Sequence, residues 1–173
     1  KIRSGEAEGI AETGEQWAPQ INLGVPVLIP EDYVPDLDVR LGLYRRLSSL
    51  TTKVELEGFA AELIDRFGEL PREVNTLLVV VRLKAMCKRA HIAKLDGGPK
   101  GATVQFHEDR FPNPEGLVEF IKAQKGLAKV KDNKVVVRRD WSSEKERVRG
   151  AFAIAQDLAK KAEAVAAERG QAV

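Results

Sequence analysis

The chain of 173 residues has one cysteine, Cys87, and two histidines. A single cysteine excludes an internal disulfide, and sparse cysteine is typical of a reducing compartment, so we expect a cytoplasmic protein. His91, His107 and Cys87 lack the spacing of metal ligands. There is no apolar run of about 18 residues and no signal-like start, so the sequence favours neither a membrane protein nor an exported one.

The patterns that carry catalysis are also missing. The glycine-rich run 97–101 lies between two predicted strands and not at a helix start, where a phosphate-binding loop requires it. Cys87 lies on an apolar side of a predicted helix, so its thiol should be buried and unreactive. No serine stands in a nucleophile elbow. We therefore expect this chain to hold no catalytic constellation and no cofactor or metal site.

Charge is divided unevenly along the chain. Residues 1–70 carry 7 Lys/Arg and 13 Asp/Glu, a net charge of −6, and residues 71–173 carry 21 and 13, a net charge of +8. The basic C-terminal half makes a nucleic-acid-binding accessory module an alternative function. Because its cations alternate with apolar positions, solvated outer faces are the simpler interpretation. These cations are Lys122, Lys125, Lys129, Lys131, Lys134, Arg138 and Arg139.

Before residue 91 the apolar residues follow helical spacing, which predicts three helices, over about 36–50, 52–67 and 71–90. Thr52 and Glu55 form a capping box at the start of the second helix, and Gly68 follows its last apolar residue. The third helix is apolar on most sides, which predicts a buried centre. The inner stripe predicted for the first helix consists of Leu37, Leu41, Tyr44 and Leu47.

After residue 91 the apolar period changes to two, which predicts two β-hairpins, over 92–107 and 127–139. The second should turn at Asp132-Asn133, residues that tolerate positive φ. A short helix should begin at Asn113, and a long one at Ser143. The predicted fold class is α+β: a helical part (about 36–90), two β-hairpins forming a small antiparallel sheet, and a long C-terminal helix packing back.

At the two ends of the chain, the apolar residues follow neither helical nor strand periodicity for long. We interpret residues 1–20 as a linker or a disordered remnant of an upstream region, in which Trp17 is the one large aromatic residue and a possible anchor. Residues 21–162 should form one domain, and 163–173 a frayed helix end or tail. Within the domain, residues 21–29 are rich in β-formers but contain Pro26, which restricts them to an edge strand or an extended segment.

One short stretch, residues 62–71 with the sequence ELIDRFGELP, joins the second predicted helix to the third. Its apolar residues continue the apolar stripe of the second predicted helix. By contrast, Glu62, Asp65 and Arg66 fall within about 100° of one another on the opposite side of the helix. Such a set of charges is either an ordinary solvated face or a docking patch.

This stretch, together with the block LIPEDYVPD at residues 28–36 and the residues Arg40-Leu41 and Tyr44–Leu47 that follow, resembles the C-terminal domain of bacterial transcription-repair coupling factors. The resemblance runs from about residue 21 to residue 160. It implies a parent protein that is an ATP-dependent translocase on double-stranded DNA, binding ATP and magnesium outside this chain. Such a parent displaces stalled RNA polymerase at DNA lesions and recruits the nucleotide excision repair protein UvrA.

The same resemblance implies a regulatory role for residues 21–162. In this family the domain docks on an N-terminal UvrB-like module of the same polypeptide, where it masks the UvrA-binding surface and restrains the motor. The acid, acid and arginine that the family uses in this contact match Glu62, Asp65 and Arg66. The expected function is therefore autoinhibition by an interdomain contact, with no catalysis by this chain.

Overall fold

The computed structural model describes residues 17–172, with side chains for residues 17–165. Most of the predicted linker (1–20) and the last side chains of the predicted tail (163–173) lie outside this range. The predicted α+β class is confirmed. In chain order the elements are β1 Gln20–Asn22, α1 Leu37–Leu47, α2 Lys53–Phe67, α3 Arg72–Arg89, β2 Ile92–Gly98, β3 Gly101–Phe106, α4 Pro114–Ala123, β4 Ala128–Lys131, β5 Lys134–Arg138 and α5 Glu144–Ala172.

Both predicted hairpins are present, and they join into one sheet with the strand order β1-β2-β3-β5-β4. The β2–β3, β3–β5 and β5–β4 pairs are antiparallel, whereas β1 pairs with β2 in parallel, with Ile21 opposite Leu95. The predicted edge strand therefore exists, although it is short. It ends because the backbone turns at Gly24, where φ is +65°, with the Asn22 side chain accepting from the Gly24 amide at 3.1 Å.

Local capping chemistry sets the helix boundaries as predicted. The Asp36 side chain accepts from the Val39 amide at 3.0 Å, and both bonds of the capping box between Thr52 and Glu55 are formed. α2 ends at Gly68, where φ is +98°, a region that favours glycine.

The buried side chains form two clusters. The helical cluster is made by α1, α2, the start of α3 and the segment 28–36, and its buried members are Ile29, Val34, Leu43, Leu47, Leu56, Phe59, Leu63 and Val74. The sheet cluster lies between one face of the sheet and the helices α4, α5 and the second half of α3. α3 joins the two clusters, since Val74 belongs to the first and Leu83 and Cys87 belong to the second.

Two predictions about the helices are wrong in part. Leu37 and Leu41 are 57% and 44% exposed, because α1 turns Leu43 and Leu47, another pair at helical spacing, toward the helical cluster. α3 is also not covered on all sides. Val79 is 39% exposed, and open grooves of about 880 and 790 Å³ are lined in part by α3.

Candidate docking face

The corner between α2 and α3 is held by a tyrosine from an earlier part of the chain. The Tyr33 hydroxyl donates to the carbonyl oxygens of Gly68 at 2.7 Å and Leu63 at 3.2 Å. Its ring lies 5.7 Å from the Phe67 ring, centroid to centroid, in a tilted arrangement. Burial raises the pKa of Tyr33. Tyr33 therefore binds the last turn of α2 and the carbonyl at its end, which fixes the direction of the corner.

Residues 28–36, which we call the strap, carry Tyr33 across the helices. Ile29 and Val34 are buried, the Ile29 amide donates to the Tyr44 hydroxyl at 2.7 Å, and Arg40 donates to the Val34 carbonyl oxygen at 2.8 Å. The strap and the stretch 62–71, which are far apart in sequence, are therefore in direct contact. Their contact gives a physical reason for the two blocks to occur together.

Glu62 lies on the side of α2 that faces α1, and both of its carboxylate oxygens accept hydrogen bonds from side chains of the same domain. Its two carboxylate oxygens accept from the two terminal nitrogens of Arg46 at 2.7 and 2.8 Å, and Oε2 also accepts from Arg66 at 3.0 Å. These bonds, first those from Arg46 and then that from Arg66, lower the pKa of Glu62 to about 2. Glu62 is therefore ionised near neutral pH and joins two arginines into one network.

Both arginines also lie over aromatic rings. The guanidinium carbon of Arg46 is 5.0 Å from the Phe59 ring centroid, and that of Arg66 is 4.9 Å from the Phe67 ring centroid. Their side chains remain about half exposed. An arginine has five N–H donors, so each retains unused donors while its plane is held in place.

Asp65 lies on the same exposed side of α2 and, within the part of the chain that the structure describes, makes no hydrogen bond or ion pair. Of the three predicted residues, the structure thus brings Glu62 and Arg66 into contact and leaves Asp65 beside them with its acceptors free of protein partners. We call Arg46, Glu62, Asp65 and Arg66 the docking face. The geometry shows a charged, ordered surface, and docking itself stays a prediction.

Sequence reasoning missed Arg46 as a member of this face. In the sequence Arg46 is only one member of the segment Tyr44–Leu47, and it lies 16 residues before Glu62, outside any helical repeat. Only the packing of α1 against α2 brings the two side chains together. No signal in the sequence alone distinguished Arg46 from its neighbours Arg40 and Arg45.

The other candidate residues have structural surroundings. Cys87 is fully buried, and burial raises the pKa of its thiol to about 12, so it remains protonated. His107 stacks on Trp17 with ring centroids 4.3 Å apart, and the Lys88 ammonium lies 4.3 Å from the Trp17 ring centroid. Trp17 therefore anchors the start of the described chain, as its character suggested. Burial is the main cause that lowers the pKa of His91, followed by the nearby charges of His107 and Lys88.

The described residues include neither a metal-binding cluster nor a membrane-spanning helix. No group of three or more His, Cys, Asp or Glu side chains is arranged to hold a metal ion among them. Within residues 17–172, each helix is too short or too polar to span a lipid bilayer. The expectation that the chain is not an enzyme is untested by these observations and stays a prediction.

Comparison with known proteins covers most of the chain. The TRCF domain family model matches residues 23–117. A transcription-repair-coupling factor of Rickettsia bellii is 42% identical over 126 residues, which is 72% of this chain, and one of Escherichia coli is 36% identical over 123 residues, or 71% of this chain. In both cases the match spans 11% of the relative's length.

A solved structure supports the same fold. The crystal structure of a C-terminal domain of transcription-repair coupling factor superposes with a TM-score of 0.71, covering 86% of this chain and 96% of that one. The two sequences are 21% identical in that alignment, so this match bears on the fold alone. The docking face and the strap both lie within the family match at residues 23–117.

Proposed function

The chain belongs to the TRCF domain family, and from this premise we propose that it is the autoinhibitory C-terminal domain of a transcription-repair coupling factor. In this proposal it docks on an N-terminal UvrB-like module of the same polypeptide. While docked, it covers the surface that binds UvrA and restrains the motor. The chain itself supplies no catalysis and binds no cofactor.

The rest of the parent protein would supply the other activities. The parent would be an ATP-hydrolysing translocase of the helicase class that acts on double-stranded DNA in the cytoplasm, with ATP and magnesium bound outside this chain. It would engage RNA polymerase stalled at DNA damage and recruit UvrA for nucleotide excision repair. These activities are proposals, because the chain spans only 11% of the relatives in question.

The observation that carries the proposal is that the charged side chains of the docking face are held in fixed positions. A carboxylate shared by two arginines, each lying over an aromatic ring, holds charged groups in fixed positions on an exposed surface. Fixed positions lower the entropy that is lost when a partner binds. A partner surface with carboxylates opposite Arg46 and Arg66 and a cation opposite Asp65 would match this pattern.

The energies suit a reversible contact. Ion pairs at the rim of an interface contribute about 0.2 to 1 kcal/mol each, and salt screens them. Because Glu62 is already engaged by Arg46 and Arg66, the partner would gain most from the unused donors of the arginines and from Asp65. Docking should therefore weaken as the salt concentration rises, as a regulatory contact requires.

The test uses the full-length parent and the substitution Asp65→Lys. Asp65 has no partner within residues 17–165, so its reversal should leave the fold unchanged while it replaces attraction by repulsion at the interface. We expect ATPase activity and UvrA binding both to rise by about fivefold, the factor that corresponds to about 1 kcal/mol. The matched control is Glu57→Lys, an exposed acid on α2 that lies eight residues, or about 12 Å along the helix axis, before Asp65.

The outcomes are readily separated. Unchanged ATPase activity and unchanged UvrA binding in Asp65→Lys would contradict the proposal, and so would equal increases in the Glu57→Lys control. Glu62→Lys should also release the motor, but it would break the bonds to Arg46 and Arg66, so its thermal midpoint must be measured beside its activity.

A further inference from the structure

The sheet has a second face, which the helices do not cover. Val135 and Val137 of β5 point into the sheet cluster and are buried, so Lys134, Val136 and Arg138 point to the opposite side. The strand pairing places residues of every other strand beside them, since paired residues share a face. The polar residues of this outer face are Gln20, Asn22, Lys94, Asp96, Thr103, Gln105, Lys129, Lys131, Lys134 and Arg138.

Cations dominate this outer face. Lys131 of β4 is paired with Lys134 of β5, which is paired with Gln105 of β3, which is paired with Lys94 of β2. The row spans three strand spacings, about 14 Å. The face thus carries five cations and one acid: the β4–β5 hairpin supplies four of the cations, and β2 supplies the fifth.

The cations are exposed and mostly unpaired. Lys94 lies 3.8 Å from the Asp96 carboxylate, but within residues 17–165 no acid lies within salt-bridge distance of Lys129, Lys131, Lys134 or Arg138. Lys131 and Lys134 are directly opposite each other, and like charges in that arrangement destabilise a sheet. This pair adds nothing to the stability of the isolated fold, whereas an anion outside the chain would compensate its charge.

We propose that the outer face of the sheet, with Lys129, Lys131, Lys134 and Arg138 as its main contacts, docks on the phosphodiester backbone of a nucleic-acid duplex. Phosphates bind lysine and arginine through charge and release counterions in doing so. The outer face carries no aromatic side chain on its paired strand positions, so it offers no stacking platform for unpaired bases. It therefore suits a phosphate backbone, whose charges are regularly spaced, and it would not distinguish one base sequence from another.

The test measures, by fluorescence anisotropy, how tightly the 173-residue chain binds a DNA duplex of about 20 base pairs at salt concentrations between about 50 and 200 mM. With about four phosphate contacts, the slope of log K against log salt should be about −3.6, a loss of roughly a hundredfold over that range. Replacing Lys129, Lys131, Lys134 and Arg138 together by Gln should weaken binding at least about tenfold at low salt and bring the slope toward zero.

A matched variant removes the same charge elsewhere. Replacing four exposed lysines off this face by Gln, at Lys53, Lys84, Lys145 and Lys160, changes the net charge equally and should weaken binding less than about threefold. Equal losses in the two fourfold variants would show that only total charge matters and would overturn the proposal. Absence of duplex binding near 50 mM salt would also overturn it.

Two further arms separate this site from other binding modes. Lys131→Gln should raise the thermal midpoint by about 1 to 3 °C, because the like-charge pair is relieved, while it weakens duplex binding. Loss of both stability and binding would point to a structural role and would contradict the proposal. If a single strand of equal length binds more tightly than the duplex, or if polyglutamate binds as tightly as the duplex, the proposal of a duplex partner is wrong. None of these outcomes depends on the docking face.

Discussion

The helical part and the sheet part of this chain expose their charges in different ways. On α2, Glu62 receives bonds from Arg46 and Arg66, and both arginines lie over aromatic rings. On the outer face of the sheet, Lys131 and Lys134 stand opposite each other without an acid at salt-bridge distance among the described residues. The first surface has internal charge balance and fixed geometry, whereas the second has an excess of one sign.

The difference indicates different classes of partner. A balanced, ordered set of charges discriminates between surfaces by position, which suits a folded protein module. A set of like charges has little positional preference and responds to any regular array of the opposite sign, which suits a phosphate backbone. The two parts share α3, so they form one folded unit that presents two unlike surfaces.

The largest expected effect is a loss of stability, and it appears when one glycine in the sheet part and one in the helical part are each replaced by alanine. A Cβ on Gly101, where φ is +130°, would lie 2.0 Å from the Val137 carbonyl oxygen, so Gly101→Ala must displace β5 as well as strain the backbone. We expect a loss of about 3 to 5 kcal/mol in the free energy of unfolding. Gly68→Ala, where φ is +98° and no atom lies within 4 Å of the added Cβ, should cost about 1 to 2 kcal/mol.

Urea denaturation of the two glycine variants checks this contrast. Equal losses would show that backbone conformation alone limits both sites and that the close approach of β3 to β5 is unimportant. Far-ultraviolet circular dichroism of each variant before denaturation would show whether Gly101→Ala folds. If Gly101→Ala does not fold, we expect Gly101→Ser not to fold either, since any Cβ at this position meets the same carbonyl oxygen.

The strap should matter to the helical part alone. Tyr33→Phe removes the hydroxyl that donates to the carbonyl oxygens of Gly68 and Leu63, and we expect a loss of about 1 kcal/mol. Amide hydrogen exchange should become faster near the end of α2 and stay unchanged in β3. Uniformly faster exchange in β3 and α2 would instead show that the two clusters unfold only together.

The smallest effect concerns the ionisation of Glu62. Its pKa is lowered in the folded chain to about 2, against a usual value of 4.5, so its ion pairs stabilise the fold fully above about pH 4.5 and lose this effect as the pH falls toward 2. At neutral pH we expect Glu62→Gln to cost about 0.5 kcal/mol, because the group is partly exposed. That difference from the parent chain should vanish near pH 2.

A control for this measurement exists in the other part of the molecule. Glu163 on α5 pairs with Arg89 at 2.7 Å, and this contact lowers the pKa of Glu163 as well. Glu163→Gln should show the same sign of pH dependence but leave motor release in the full-length parent unchanged. A pH-independent cost for Glu62→Gln would mean that packing, and not ionisation, explains the role of this side chain.

Local chemistry predicted much of the fold and part of the docking face. The cap at Thr52, the turn at Asp132-Asn133 and the end of α2 at Gly68 occur where the sequence placed them. Glu62 and Arg66 could be assigned to one face because helical periodicity holds within α2. The inner side of α1 was predicted wrongly in part, since Leu41 and Leu43 each continue an apolar repeat and only the position of α2 and the strap selects between them.

The helices, the hairpins and the positions of the charges along each element could be assigned without the structure, because caps, turns and periodicity depend on residues a few positions apart. Three features arise only when the chain folds: Arg46 binds Glu62, Tyr33 holds the corner at Gly68, and cations from three strands share one face of the sheet. Those contacts depend on helix packing and strand register, in which distant parts of the chain stabilise one another, and no local pattern encodes them.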